Sequence, residues 1–218
     1  MTGPGHVARQ LLRALDEAQP AALPFRHWRV AALLPAEIAS AIAVLPFAPP
    51  AVGDSQGKRE TNNSTRIFLS PANRSRFPAC EAVAAALQGD NVVDRVQQLC
   101  GAALGGAYLR IEYCQDTDGF WLEPHTDIGA KLFTMLIYLA TEEGSEDWGT
   151  DLMTPEGDVA ARVPYRANTG VIFIPGSDSW HGFRKRPIAG VRRSLIVNYV
   201  KPEWRSRHEL AFPSQPVA

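Results

Sequence analysis

Apolar residues recur at helical spacing through the first hundred positions and in short strand-like runs after that, and this switch divides the chain. Val7, Leu11, Ala14 and Leu15 fall on one side of a 3.6-residue repeat. Ile38, Ala41, Ile42 and Leu45 do so again after Pro35, a residue suited to a first helical turn. A third helix is predicted from Pro78 to Leu87. A fourth starts at Asn91, a good N-cap, with Asp94 three residues in and Val93, Val96 and Leu99 on one side. Between these stretches, Pro49 to Ser64 is rich in Pro, Gly, Asn and charge and predicts a long loop, a kind of segment that is often functional.

From Gly105 onward the pattern predicts strands at Ala107 to Cys114, Phe120 to Asp127, Lys131 to Ala140, Thr150 to Met153, Val171 to Pro175, Trp180 to Phe183 and Arg192 to Val200. Many short strands without intervening helices indicate an antiparallel sandwich or barrel, so the fold class is mainly β with N-terminal helices (α+β). The expected organisation is one domain over residues 1–218. It comprises helical support and a loop over 1–104, a β core over 105–200 and a C-terminal tail over 201–218.

Composition narrows the function classes. Hydrophobic residues at 45% and charged residues at 21% fit a globular protein with a proper core. The longest apolar runs, Leu132 to Ala140 and Val171 to Pro175, are far shorter than the roughly 20 residues of a membrane span and read as buried strands. The net charge of −1, with only a short basic cluster at Arg184 to Arg193, argues against nucleic acid as a partner. Met1 to Gln10 lacks the apolar core of a secretory signal, which leaves the cytoplasm as the default address. Cys80, Cys100 and Cys114 form no CxxC pair and read as buried, reduced thiols.

The candidate chemistry lies in Trp121-Leu122-Glu123-Pro124-His125-Thr126-Asp127. On a strand, positions i and i+2 share a face, so His125 and Asp127 can converge on one metal ion. His181 follows the strand at Val171 and the turn Gly176-Ser177-Asp178, which delivers a second imidazole at a strand start. Two histidines and one carboxylate leave three coordination positions open, as non-haem iron(II) oxygenases require. Further on, Arg192, Ser194 and Ile196 share one strand face. A guanidinium turned into a barrel needs an anionic partner, which a ligand carboxylate would supply in bidentate fashion.

The ordered set Tyr113, His125-Thr126-Asp127, Gly149-Thr150, Asn168 to Phe173, Trp180-His181-Gly182 and Gly190 to Leu195 resembles the 2-oxoglutarate- and iron(II)-dependent dioxygenase superfamily, and within it the prolyl-4-hydroxylase-like branch. The resemblance spans roughly residues 105 to 200. It implies a double-stranded β-helix (jelly roll) core with His125, Asp127 and His181 as iron(II) ligands. It also implies 2-oxoglutarate as co-substrate, its far carboxylate held by Arg192, with Ser194 and an inward Tyr113 adding hydroxyls; a plain core tyrosine is the other reading of Tyr113. The implied reaction consumes O2 and 2-oxoglutarate, hydroxylates a substrate, and releases succinate and CO2. An aspartate at 127 departs from the pattern of the superfamily's halogenases, which favours hydroxylation.

A small polar substrate is expected, with Arg59, Asn63 and Arg66 of the loop as contacts and Trp121 as a pocket wall; a solvated loop and a core or surface aromatic are the bland alternatives. Lys131 is close enough to the metal strand to add charge. The competing functions are a peptidyl or protein hydroxylase and a cupin-like metal protein without oxygen chemistry, which would give Arg192 no role. A nucleic-acid demethylase is disfavoured because Asn198 stands six residues after Arg192, where that branch has a second arginine.

Overall fold

The computed structural model of the chain describes residues 3–60 and 66–218. Pro4, Pro71 and Pro78 open three helices, each at a position whose missing N–H has no helical acceptor to lose. The N-terminal elements are α1 (Pro4–Asp16), β1 (Gln19–Ala21), β2 (His27–Ala31), α2 (Ala36–Ala43), β3 (Ile67–Phe68), α3 (Pro71–Arg76), α4 (Pro78–Gln88) and α5 (Asp90–Cys100). Val7, Leu11, Ala14 and Leu15 are all buried on α1, as their spacing requires. Helix α5 starts at Asp90 with Gly89 as its N-cap, two residues before the expected cap; Asn91 lies in the first turn, where its side chain accepts from the Val92 N–H. It stops where Gly101 turns left-handed at φ +74°.

Eight strands follow: β4 (Tyr108–Asp116), β5 (Leu122–His125), β6 (Lys131–Tyr138), β7 (Asp151–Met153), β8 (Val159–Arg162), β9 (Thr169–Phe173), β10 (His181–Phe183) and β11 (Arg192–Val200). All pairings are antiparallel. They make a seven-stranded sheet in the order β1-β2-β9-β6-β11-β4-β3 and a four-stranded sheet in the order β5-β10-β7-β8. This is the jelly-roll core that the strand pattern and the resemblance implied. Strands β1, β2 and β8 were not foreseen, since each is only three to five residues long, too short for periodicity to register; β2 is held by pairing with β9.

The large sheet is covered on both faces, and side-chain alternation sorts its residues between two cores. Leu109, Ile111, Tyr113, Phe133, Met135, Ile137, Leu195, Val197 and Tyr199 face the helices in the first. Leu136, Tyr138, Val171 and Phe173 face the small sheet in the second, with Phe120, Leu152 and Phe183. Cross-strand partners share a face, so the inner face of the large sheet also carries Arg110, Glu112, Cys114 and Asp116 of β4, Thr134 of β6, and Arg192, Ser194, Ile196 and Asn198 of β11.

Neighbouring strands of the large sheet come close at a glycine. A Cβ on Gly170 would lie 1.9 Å from the Leu136 carbonyl oxygen of the neighbouring strand, a backbone atom that cannot yield without breaking the β6–β9 pairing. Gly170→Ala is therefore expected to lower unfolding free energy by about 3 kcal/mol, read as a lower urea midpoint at unchanged slope.

Candidate active site

The small sheet brings the histidines together by register: His125 at the end of β5 stands directly opposite His181 at the start of β10. Their rings lie 4.4 Å apart centre to centre. One donor atom from each of His125, His181 and Asp127 falls within 4.8 Å of the others. Strand β5 ends at His125, so Asp127 enters from the turn beyond it and not from the same strand face as the i, i+2 argument supposed.

Each imidazole is fixed from behind. Nδ1 of His125 donates to the Glu123 carbonyl at 2.8 Å, and Nδ1 of His181 donates to the Ser179 carbonyl at 2.9 Å. A carbonyl can only accept, so in both rings the proton is on Nδ1 and the Nε2 lone pair is left for a metal. Burial and the neighbouring His125 push His181 down to about 4, which keeps it neutral at ordinary pH. Burial works to raise the Asp127 carboxyl, but the Lys131 ammonium, His181 and hydrogen bonds from Lys131 (2.5 Å) and Thr134 (2.7 Å) outweigh it and hold it at about 2. These two bonds leave lone pairs on the carboxylate. Two imidazoles presenting Nε2 beside an ionised carboxylate suit a divalent ion of the iron or zinc type.

The triad opens into a cavity of about 340 Å3 whose lining includes Arg59, Arg66, Arg110, Glu112, Thr134, Leu136, Thr150, Phe183, Arg192 and Ile196. Arg192 is buried on the inner face as expected, but its partner is a carboxylate of the chain itself. Nη1 donates to Asp116 at 2.5 Å and Nε to the Trp148 carbonyl at 2.5 Å, while Nη2 makes no hydrogen bond among the described residues. Arg59 donates to the other oxygen of Asp116 at 3.0 Å. Two guanidiniums on one carboxylate leave a surplus positive charge, which fits the carboxylate of an acidic ligand. The Ser194 hydroxyl oxygen, buried and without a partner among the described residues, adds an unmet hydrogen-bonding group on the same face.

Two expectations need correction. Tyr113 does not point inward: it belongs to the helix-facing core and its hydroxyl donates to the Ala43 carbonyl at 3.3 Å. Leu109, Ile111 and Tyr113 do share a face, but that face packs on helices, and the polar residues between them line the cavity. Trp121 is not part of the cavity lining; it packs on Gly57 and donates its indole N–H to Asp54 at 2.6 Å, which pins the loop. Arg59 and Arg66 do line the cavity but are already engaged, Arg66 with Glu112 through bonds of 3.1 and 2.8 Å. Asn63 lies outside the described residues.

The sequence reading missed a chain of polar contacts running away from the triad. Thr134 donates to Asp127 and accepts from Asn198 at 2.9 Å; Asn198 accepts from Arg110 at 3.2 Å. Arg110 in turn donates to Glu112 at 3.0 Å and to Glu209 at 2.6 Å. The register offered a signal, since Thr134, Asn198 and Arg110 are direct cross-strand partners. Tyr138, whose hydroxyl donates to Thr150 at 2.7 Å beside the Arg192 guanidinium, was missed for the same reason. The segment expected as a tail contributes Trp204 and Glu209 to the cavity wall.

The sequence matches no family model, and no curated protein matches it. Solved structures do match. A prolyl-4-hydroxylase from Pseudomonas putida is 18% identical, with 89% of this chain and 92% of that one covered at a TM-score of 0.56. A prolyl hydroxylase from Trichoplax adhaerens, solved with a peptide of the hypoxia-inducible factor oxygen degradation domain, is 13% identical over 91% and 90% at 0.60. HygX from Streptomyces hygroscopicus, solved with nickel and 2-oxoglutarate, is 13% identical over 90% and 89% at 0.50. The chain has the double-stranded β-helix fold of the 2-oxoglutarate- and iron(II)-dependent oxygenases.

Two measurements test the electrostatics. Asp116→Asn removes the carboxylate that Arg59 and Arg192 share, and unfolding free energy is expected to fall by about 3 kcal/mol in urea titration. Burial works to raise Glu112 from its ordinary 4.5, but Arg66, Arg110 and Arg59 together hold it at about 2. A depressed carboxyl stabilises the fold fully above pH 4.5 and loses that contribution as pH falls toward 2. Glu112→Gln should therefore be less stable than wild type at neutral pH, with the difference shrinking across that acid window.

Proposed function

We propose that this chain is an iron(II)- and 2-oxoglutarate-dependent oxygenase that hydroxylates a small polar substrate with O2 and releases succinate and CO2. The carrying observation is that a His-Asp-His triad and a buried inner-face arginine line one cavity in this fold. In this reading His125, Asp127 and His181 hold the metal, and Arg192 with Ser194 receives the far carboxylate of 2-oxoglutarate. Iron with bound 2-oxoglutarate supplies an oxidant able to hydroxylate a C–H bond. The residues of the chain supply positioning. The two carbonyl-anchored imidazoles present Nε2 without reorientation, and Lys131 keeps Asp127 ionised. Phe183, Leu136 and Ile196 make an apolar lining that excludes water near the reacting centre.

A small substrate is favoured by space and charge. About 340 Å3 must take both the keto acid and the substrate, at the lower end of ligand-site volumes, and the free wall is charged where a prolyl side chain would want apolar contact. One observation favours the peptidyl reading: a second, open groove of about 560 Å3, lined by Ala102, Gly129, Pro175 and Gly176, reaches Thr126 and Asp127.

The test is anaerobic titration of iron(II) and then 2-oxoglutarate into metal-free protein, following the weak visible charge-transfer band of the chelated keto acid. The band is expected in wild type and absent in His125→Ala. A wild-type protein that takes up metal without ever chelating 2-oxoglutarate would sink the oxygenase reading in favour of a cupin-like metal protein.

A further inference from the structure

The cavity has two ends on the inner face of β11. Arg192 pairs with Asp116 at one end and Asn198 with Arg110 at the other, six residues apart and so roughly 20 Å along the strand. The Arg110 end carries charge that makes no direct contact with the triad. Arg110 and Glu112 are each 2% exposed and Glu209 is 9% exposed, all within a cavity lining that they share with Arg66 and Trp204.

Two atoms there lack partners. The indole Nε1 of Trp204 is buried without a hydrogen bond among the described residues. Glu209 uses only Oε2, on Arg110, and Oε1 carries no hydrogen bond among the described residues. By contrast, both oxygens of Glu112 are engaged. An unpaired donor and an unpaired carboxylate oxygen thus come from one short stretch of chain. The charges of Arg66 and Arg110 cancel those of Glu112 and Glu209, so the wall favours a ligand with no net charge that carries both signs.

We propose that this end of the cavity recognises a small zwitterion of the free amino-acid type. Its ammonium would meet Glu209 Oε1, and its carboxylate the Trp204 indole N–H beside the Arg110 guanidinium, which lies over the Trp204 ring at 5.4 Å. A capped peptide brings no ammonium to this carboxylate, and a neutral polyol leaves it desolvated without a counter-charge. The proposal rests on the oxygenase reading, because it assigns the substrate class of that same cavity.

The experiment uses the full-length protein loaded with zinc(II) and 2-oxoglutarate, so that binding is measured by calorimetry without turnover. The probes are the free L-amino acids one at a time, the N-acetyl forms of those that bind, glucose, and a proline peptide capped at both ends. At least one free amino acid should bind, with affinity falling about tenfold or more on N-acetylation. Glu209→Gln, which keeps the size of the side chain, should weaken binding by a similar factor. Trp204→Phe should weaken it by a few-fold, and it carries the test if thermal melting shows that Glu209→Gln does not fold. Glu37→Gln, in an exposed pair with His6, serves as the surface control and should bind like wild type. Binding of glucose or the capped peptide with no response to any free amino acid would overturn the proposal. So would indifference to N-acetylation, or wild-type affinity in both site variants. If wild type fails to take up 2-oxoglutarate, the oxygenase reading itself fails; if it takes up 2-oxoglutarate yet ignores every amino acid, only this subsite falls.

Discussion

A sheet covered on both faces leaves its strands no solvated side on which to place polar groups, and every charge on it must find a partner inside the protein. The large sheet lies under this constraint along β4, β6 and β11, whose residues are almost all buried. One face meets the demand by being apolar and packing on the helices. The other carries two arginines and two acids from β4 and β11, each tied to a counter-charge or a backbone carbonyl. The cavity exists because these groups are too polar to pack shut against the small sheet.

The same arrangement links the two halves of the site. Asp127 is oriented by Thr134, Thr134 by Asn198, and Asn198 by Arg110. Such supporting contacts determine how stiffly a metal ligand is held. At the other end Asp116 ties Arg192 to Arg59, so a loop residue and a residue of the sheet share one carboxylate. Position 198 illustrates how a single substitution can redirect a site: an asparagine there bridges Thr134 and Arg110 without adding charge beside the Asp127 carboxylate.

Much of the fold was legible because its signals are local. Helical spacing at Val7, Leu11, Ala14 and Leu15, and the apolar runs at Lys131 and Val171, needed no tertiary context. The grouping of His125, Asp127 and His181 was legible because few residue types can hold a metal ion and His181 opens a strand. What failed was the choice of face. Tyr113 was placed inward with Leu109 and Ile111 on the assumption that apolar means interior to the barrel, whereas helices claimed that face and the cavity took Arg110, Glu112 and Asp116. No periodicity can tell which of two buried faces meets a ligand. Trp204 and Glu209 escaped notice because a chain end without strand or helix pattern gives no hint of what it crosses.

That last stretch has a consequence for how such a protein diversifies. Trp204 and Glu209 lie on a segment outside both sheets, held to β4 by the bridge from Arg110 to Leu210, by the Ala211 N–H donating to the Leu109 carbonyl and by the Arg110–Glu209 ion pair. The histidines, by contrast, are locked into a four-stranded sheet by their register. Mutation can therefore rewrite one wall of the cavity while the strands that present the imidazoles stay as they are. Evolution is given separate handles on what the site accepts and on what it does to it.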